Sequence, residues 1–218
     1  MIDTGSSPFL NSRKSVIATT LTRLLVAGAV VASLQGCVEM IVGGAVVGTI
    51  AATDRRTLGA QTEDTSITVK GEARIPGLIG DSGHVNIASF NRKVLLTGEV
   101  KDAATKAYVE REIGAIEGVQ GVVNELEVTG RSNYTSRGND AFLTGKVKAS
   151  FVDTSELSAS AFKVITERST VYLMGRVTQR EGQRAGEVAR GVSGVERVVK
   201  VFDYIGEDEL RQLAKTPK

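Results

Sequence analysis

From about residue 62 onward, hydrophobic positions follow two periods in turn. Ile67, Gly71 and Ile75 recur every four residues, and so do Leu143, Val147 and Phe151, which is the spacing of a buried helical stripe. Asp64 and Asp140 stand just ahead of these runs, where a carboxylate caps free backbone N–H groups. Pro76 predicts an early stop that leaves the first of these helices short. Val85–Phe90 with Val94–Val100, and Phe162–Glu167 with Val171–Val177, predict two hairpins. A second helix follows each hairpin. Its inward positions are Val109, Ile113 and Ile116 in one case and Ala185, Val188, Ala189 and Val192 in the other, with Gly118 and Gly194 ending them. A last strand then runs over Val119–Val128 and over Val195–Ile205. The order is αββαβ, twice, which is an α+β class.

The duplication is visible residue by residue. Asp64-Thr-Ser-Ile67-Thr-Val-Lys70 matches Asp140-Ala-Phe-Leu143-Thr-Gly-Lys146 at an offset of 76. Val94-Leu-Leu-Thr-Gly98-Glu-Val100 matches Val171-Tyr-Leu-Met-Gly175-Arg-Val177 at an offset of 77. The copies span residues 62–130 and 140–206, joined by a Gly-, Ser- and Asn-rich linker at 131–139 and followed by a tail at 207–218.

Ahead of the first copy the pattern changes. Arg13, Lys14 and Arg23 precede an uncharged run, Leu24–Leu34, that is too short for a membrane span of about 20 residues but suits an export signal. Leu34-Gln35-Gly36-Cys37 resembles the bacterial lipobox, which implies cleavage after residue 36 and a diacylglycerol thioether on Cys37. Residues 1–36 are then a lipoprotein signal peptide and 37–61 a lipidated tether. Val38, rather than Asp, follows the cysteine, and by the sorting rule of that class this favours the outer membrane. Met40–Ala52 is a second apolar run, either a flexible or interfacial segment near the lipid or, through Gly44 and Gly48, a surface for close helix approach.

Composition narrows the chemistry. One Cys excludes an internal disulfide and a Cys-rich zinc site, and His84 alone leaves no His-based triad or multi-His metal centre. Of the 27 basic and 25 acidic residues, three basic and one acidic lie before residue 37, so the remainder is balanced at 24 each. A nucleic-acid binder carries a basic excess, and none is present. Gly145-Lys146 is no phosphate loop, because Asp140 and Val147 occupy positions that need Gly and Ser or Thr. The Glu110/Glu112 and Glu207/Asp208/Glu209 groups read as solvated faces, and His84 reads as a surface loop residue. No catalytic residue, cofactor site or metal site is expected, and nothing resembles a pore former.

The two copies differ in charge. Arg131, Arg137, Lys146 and Lys148 against Asp140 give +3 over residues 131–148, whereas residues 63–74 sum to −1. Phe142 lies within the basic stretch. A ring beside lysines suits a membrane interface, with ammonium groups meeting lipid phosphates. From the residues alone Phe142 fits an interface and a core position equally, while Leu143 and Phe151 suit the core.

The sequence of a first helix, a V-x-L-x-G-x-V strand, a helix and Val119-Gln-Gly-Val-Val-Asn124-Glu-Leu126 resembles the BON domain. Lys200 replaces Asn124 in the second copy, and the hairpins turn at Asn91-Arg92 and Arg168-Ser169 rather than at Asn-Gly. With Cys37 and Ala52–Gln61 included, the chain resembles dual-BON outer-membrane lipoproteins. The resemblance implies two tandem sandwiches, each with a three-stranded mixed sheet and two helices. It implies a lipid-anchored protein facing the periplasm that supports outer-membrane integrity and associates with outer-membrane protein assembly machinery. It also implies that anionic phospholipid is a partner of the second copy's first helix. The expected site residues are Phe142, Leu143, Lys146 and Lys148 on that helix and Arg137 in the linker just ahead of it.

Overall fold

The computed structural model describes residues 54–81, 83–129 and 134–215, with side chains from Gly138 onward in the last stretch and up to Leu213. The signal, Cys37 and the second apolar run lie outside the described residues. Helix α1 runs over Leu58–Ile79, four residues into the stretch read from sequence as tether. Thr57 caps it by accepting from the Ala60 N–H. Pro76 does not stop it. The proline sits on the exposed side of the last turn, where solvent satisfies the carbonyl that it leaves free, while Ile75 and Ile79 continue the buried stripe. Gly71 lies in that stripe because a Cβ there would come within 2.2 Å of Ile87 Cδ1.

Strands β1 (His84–Phe90) and β2 (Lys93–Val100) form an antiparallel hairpin, and helix α2 (Ala103–Gly114) crosses back over the sheet. Strands β3 (Gly121–Asn124) and β4 (Glu127–Val128) both pair parallel with β2 in one register, interrupted at Glu125-Leu126. The single strand expected over Val119–Val128 is therefore broken. Leu126 turns into the core at 1 % exposure, opposite Gly98, whose φ of 114° is open only to glycine.

The second copy repeats the plan. Helix α3 (Tyr134–Asp153) starts inside the expected linker. Strands β5 (Phe162–Glu167) and β6 (Thr170–Val177), helix α4 (Gln179–Arg190) and an unbroken β7 (Arg197–Tyr204) follow. Strand β6 is central, antiparallel to β5 and parallel to β7. The expected tail contains helix α5 (Glu207–Lys215). Its first turn holds Glu207, Asp208 and Glu209, which complement the positive end of the helix dipole and pair with Arg180, Arg211 and Arg176 respectively. His84 is the first residue of β1 and half-buried, not a surface loop residue.

Asp64 and Asp140 are not helix caps. Both lie inside their helices, buried at 4 % and 5 %, and receive the turn of the following hairpin. Asp64 accepts from the N–H of Asn91 (2.7 Å) and of Arg92 (2.8 Å), and Asp140 from the N–H of Arg168 (2.8 Å) and of Ser169 (2.9 Å). All four turn residues have φ between 48° and 64°, the left-handed pair of a type I′ turn. The carboxylate offsets the cost that glycine would otherwise spare, which is why neither turn contains one.

Each copy has its own core between helices and sheet: Ile67, Leu96, Val109 and Ile113 in the first, and Val147, Leu173, Phe202 and Ala189 in the second. A third core joins them. The outer faces of the two sheets meet through Phe90 and Leu95 on one side and Tyr172, Met174 and Val201 on the other. Lys93 Nζ donates to the Phe202 carbonyl (3.1 Å) and Lys163 Nζ to the Ser89 carbonyl (3.2 Å), so each domain covers a strand carbonyl of the other. Asn86–Glu167 and Asn91–Asp203 hydrogen bonds flank the seam.

Candidate functional site

Helix α3 presents two faces set by its register. Leu143, Val147 and Phe151 point inward at 2 %, 0 % and 1 % exposure. Gly194 lies against Leu143, so a Cβ there would come within 2.8 Å of the leucine. Leu143 accordingly offers no side chain to a surface ligand. Its part is to fix the rotation of the helix, a correction to its place among the expected contacts.

The outward face holds the other described candidates. Phe142 is 67 % exposed, and Lys146 Nζ stands 5.6 Å from the centroid of its ring. The same ammonium donates to the Ser193 carbonyl in the loop after α4. The Lys146 ammonium thus sits between the ring and the neighbouring loop, whereas Lys148 is exposed. The side chain of Arg137 lies outside the described residues, as does Cys37. The structure therefore sets Phe142 and Lys146 side by side, leaves Lys148 on the opposite flank of the exposed face, and removes Leu143 from that face.

Sequence reasoning missed Val152, which is 72 % exposed at the far end of the same helix. Phe142, Gly145, Ala149 and Val152 follow a 3-4-3 spacing and are all exposed, a second stripe parallel to the buried one. The signal is present in the sequence, but the stripe that builds the core is the more regular of the two. The result is a surface with an aromatic and an aliphatic side chain at its ends, small residues between them, and Lys146 and Lys148 on its opposite flanks.

The rest of the molecule offers little chemistry. Among the described residues no cluster of His, Cys, Asp and Glu is arranged to hold a metal ion, and no helix is long and apolar enough to cross a membrane. Glu110 accepts from Asn124 Nδ2 (2.9 Å), which gives the first copy's consensus asparagine a structural role. In the second copy Lys200 lies over Gly186, where a Cβ would come within 2.5 Å of its Cε. Glu99 is fully buried on the seam side of β2, and neither carboxylate oxygen has a hydrogen-bond partner. Burial pushes the Tyr172 hydroxyl up to about 12, with the Glu125 carboxylate adding to the shift.

Comparison with known proteins agrees with the duplication. The BON domain family model matches residues 63–130 and 139–206. The chain is 37 % identical over 174 residues to the Outer membrane lipoprotein DolP of Haemophilus influenzae, covering 79 % of this chain and 90 % of that one. It is 28 % identical over 154 residues to a 21 kDa hemolysin of Actinobacillus pleuropneumoniae, covering 70 % and 79 %. A solved structure of CdsD, a structural protein of the type III secretion system of Chlamydia trachomatis, aligns at a TM-score of 0.28 with 8 % identity, over 69 % of this chain and 99 % of that one.

Proposed function

The chain belongs to the BON domain family, as a dual-BON protein of the DolP type, and from that premise we propose a non-enzymatic outer-membrane lipoprotein that faces the periplasm and reads anionic phospholipid with its second domain. Acylation of Cys37 supplies the hold: two or three chains at about 0.8 kcal/mol per buried CH₂ bind essentially irreversibly. The folded body adds a weaker contact. Seating the Phe142 ring in the headgroup layer contributes about 1.5–3 kcal/mol if it is fully buried, and each lysine near an anionic surface contributes about 1 kcal/mol. Such a contact is too weak to recruit a free protein strongly. A tethered domain needs no more, because the tether raises its effective concentration over the leaflet. The membrane then controls how the body stands on the surface, and through that its support of envelope integrity.

The observation that carries this reading is the two-thirds exposed Phe142 ring, held in place by a lysine whose other bond goes to the Ser193 loop. The test is co-sedimentation of residues 54–218 with phosphatidylglycerol vesicles. Phe142→Ala, or Lys146→Glu with Lys148→Glu, should weaken binding at least tenfold, and binding equal to wild type would remove the mechanism.

A second reading is an adaptor that docks an outer-membrane protein assembly complex. It is favoured by Leu58 (64 % exposed) and Val69 (59 %), which give helix α1 apolar outward positions without the lysine-backed ring of α3. Its hallmark would be a partner crosslinked in detergent, with recovery unchanged by Phe142→Ala.

A further inference from the structure

The three residues that lead into α1 touch both domains. Arg56 faces the first: its Nη1 donates to Asp64 Oδ2 (2.9 Å), its Nη2 to Asp54 Oδ2 (2.6 Å), and its guanidinium lies 4.3 Å from the centroid of Phe90 in the seam core. Arg55 faces the second. Its Nη1 and Nη2 donate to Glu181 Oε2 (2.8 Å) and Oε1 (2.7 Å) in a parallel bidentate pair, and Nη1 also reaches the Arg176 carbonyl (3.1 Å). Both partners are nearly sealed from water, with side chains 11 % and 6 % exposed.

The receiving carboxylate is itself held in place. Glu181 closes the capping box of α4, accepting from the Thr178 N–H (2.9 Å) while its own N–H donates to Thr178 Oγ1. The equivalent helix of the first copy has no such acceptor, since Asp102 caps α2 and Thr105 stands where Glu181 does. Burial opposes charge on both Arg56 and Glu181, but the ionic hydrogen bonds outweigh it, so Arg56 is raised and Glu181 lowered from their ordinary values. The two arginines are adjacent in sequence yet grip different domains.

We infer that Asp54-Arg55-Arg56 is a clasp that fixes the tether's exit point on the domain seam, fastening it at once to the first domain through Asp64 and to the second through Glu181. A pull from the anchor then reaches both domains together, and the domain that carries Phe142 directly through α4. The consequence for orientation on a leaflet rests on the reading of Cys37 as the anchor; the clasp itself does not.

Arginines are trypsin sites, so the clasp can be read by protection. In the detergent-solubilised full chain, cleavage after Arg55 is compared with cleavage after Arg190 at the exposed end of α4. Glu181→Gln removes the ionic pair and should speed cleavage after Arg55 at least tenfold relative to Arg190. Arg55→Ala lies outside both folded domains and leaves the capping box intact. It should raise amide exchange over residues 54–60 at least fivefold. A wild-type Arg55 cut as fast as Arg190, or exchange unchanged by Arg55→Ala, would overturn the clasp. Neither assay contains a phospholipid surface, so a failed clasp and a failed lipid contact give separate results.

Discussion

Helices α1 and α3 are the same element twice, and their outward faces have diverged. Position by position, Ser66 stands where the second copy has Phe142, Val69 where it has Gly145, Glu72 where it has Lys148, and Pro76 where it has Val152, while Lys70 and Lys146 agree. The inward faces stayed alike: Asp64, Ile67 and Gly71 against Asp140, Leu143 and Val147. One scaffold thus carries two surfaces. The second presents a ring between lysines; the first has a half-buried serine and an exposed acid. The divergence lies where folding places no demand, which is where a difference in partners can be written without loss of stability. The seam has diverged as well, with Leu95 against Tyr172 and Glu99 against Arg176 at matching positions of the central strands.

The sharpest way to break this comparison is at the aspartates. Asp140→Ala removes two charge-assisted bonds to the turn and should cost about 3 kcal/mol or more. Asp64→Ala should cost more again, because it also takes away the acceptor of Ser89 Oγ and of Arg56 Nη1. Denaturant midpoints of the two variants would show whether the first copy depends more on its aspartate.

Tyr172 tests the seam. Its pKa of about 12 in the folded protein, against 10.0 for the ordinary group, means that the unfolded chain ionises first. The associated stability is complete below pH 10 and is lost as pH rises toward 12, by something on the order of 2 kcal/mol. Absorbance titration should show one of the four tyrosines ionising late, and Tyr172→Phe should abolish that late step.

An exchange between the copies comes next in size. Phe142→Ser should lower affinity for phosphatidylglycerol vesicles at least tenfold, whereas Ser66→Phe should gain little, because Glu72 stands where Lys148 would. The smallest effect expected is at Glu99. Glu99→Gln removes a buried carboxylate without hydrogen-bond partners and should raise stability by about 1 kcal/mol, read as a higher melting temperature.

Much of this was legible in sequence because it is local. The hairpins and the second helices follow from periods of two and of three to four, and the duplication follows from matched motifs. What escaped depends on distant partners. Asp64 looks like a cap because the apolar stripe begins just after it, yet the helix starts at Leu58 and its carboxylate serves a turn 27 residues on. Pro76 looks like a stop because the sequence does not show that its missing bond faces water. Helix α5 looks like a tail because its acids pair with Arg176 and Arg180, about 30 residues earlier. For the candidate surface, Phe142 and the two lysines were visible, but Leu143 was included in error. Its place in the buried stripe with Val147 and Phe151 already pointed inward, and its packing against Gly194 bears that out.

The chain contains no tryptophan, so a single introduced indole reports its own surroundings without background. The decisive measurement is emission of Phe142→Trp and, separately, Ser66→Trp with vesicles containing phosphatidylglycerol and brominated lipid. Seating of the second copy's first helix in lipid gives a blue shift with bromine quenching at position 142 and neither at 66. No change at 142, or the same change at both positions, would contradict it.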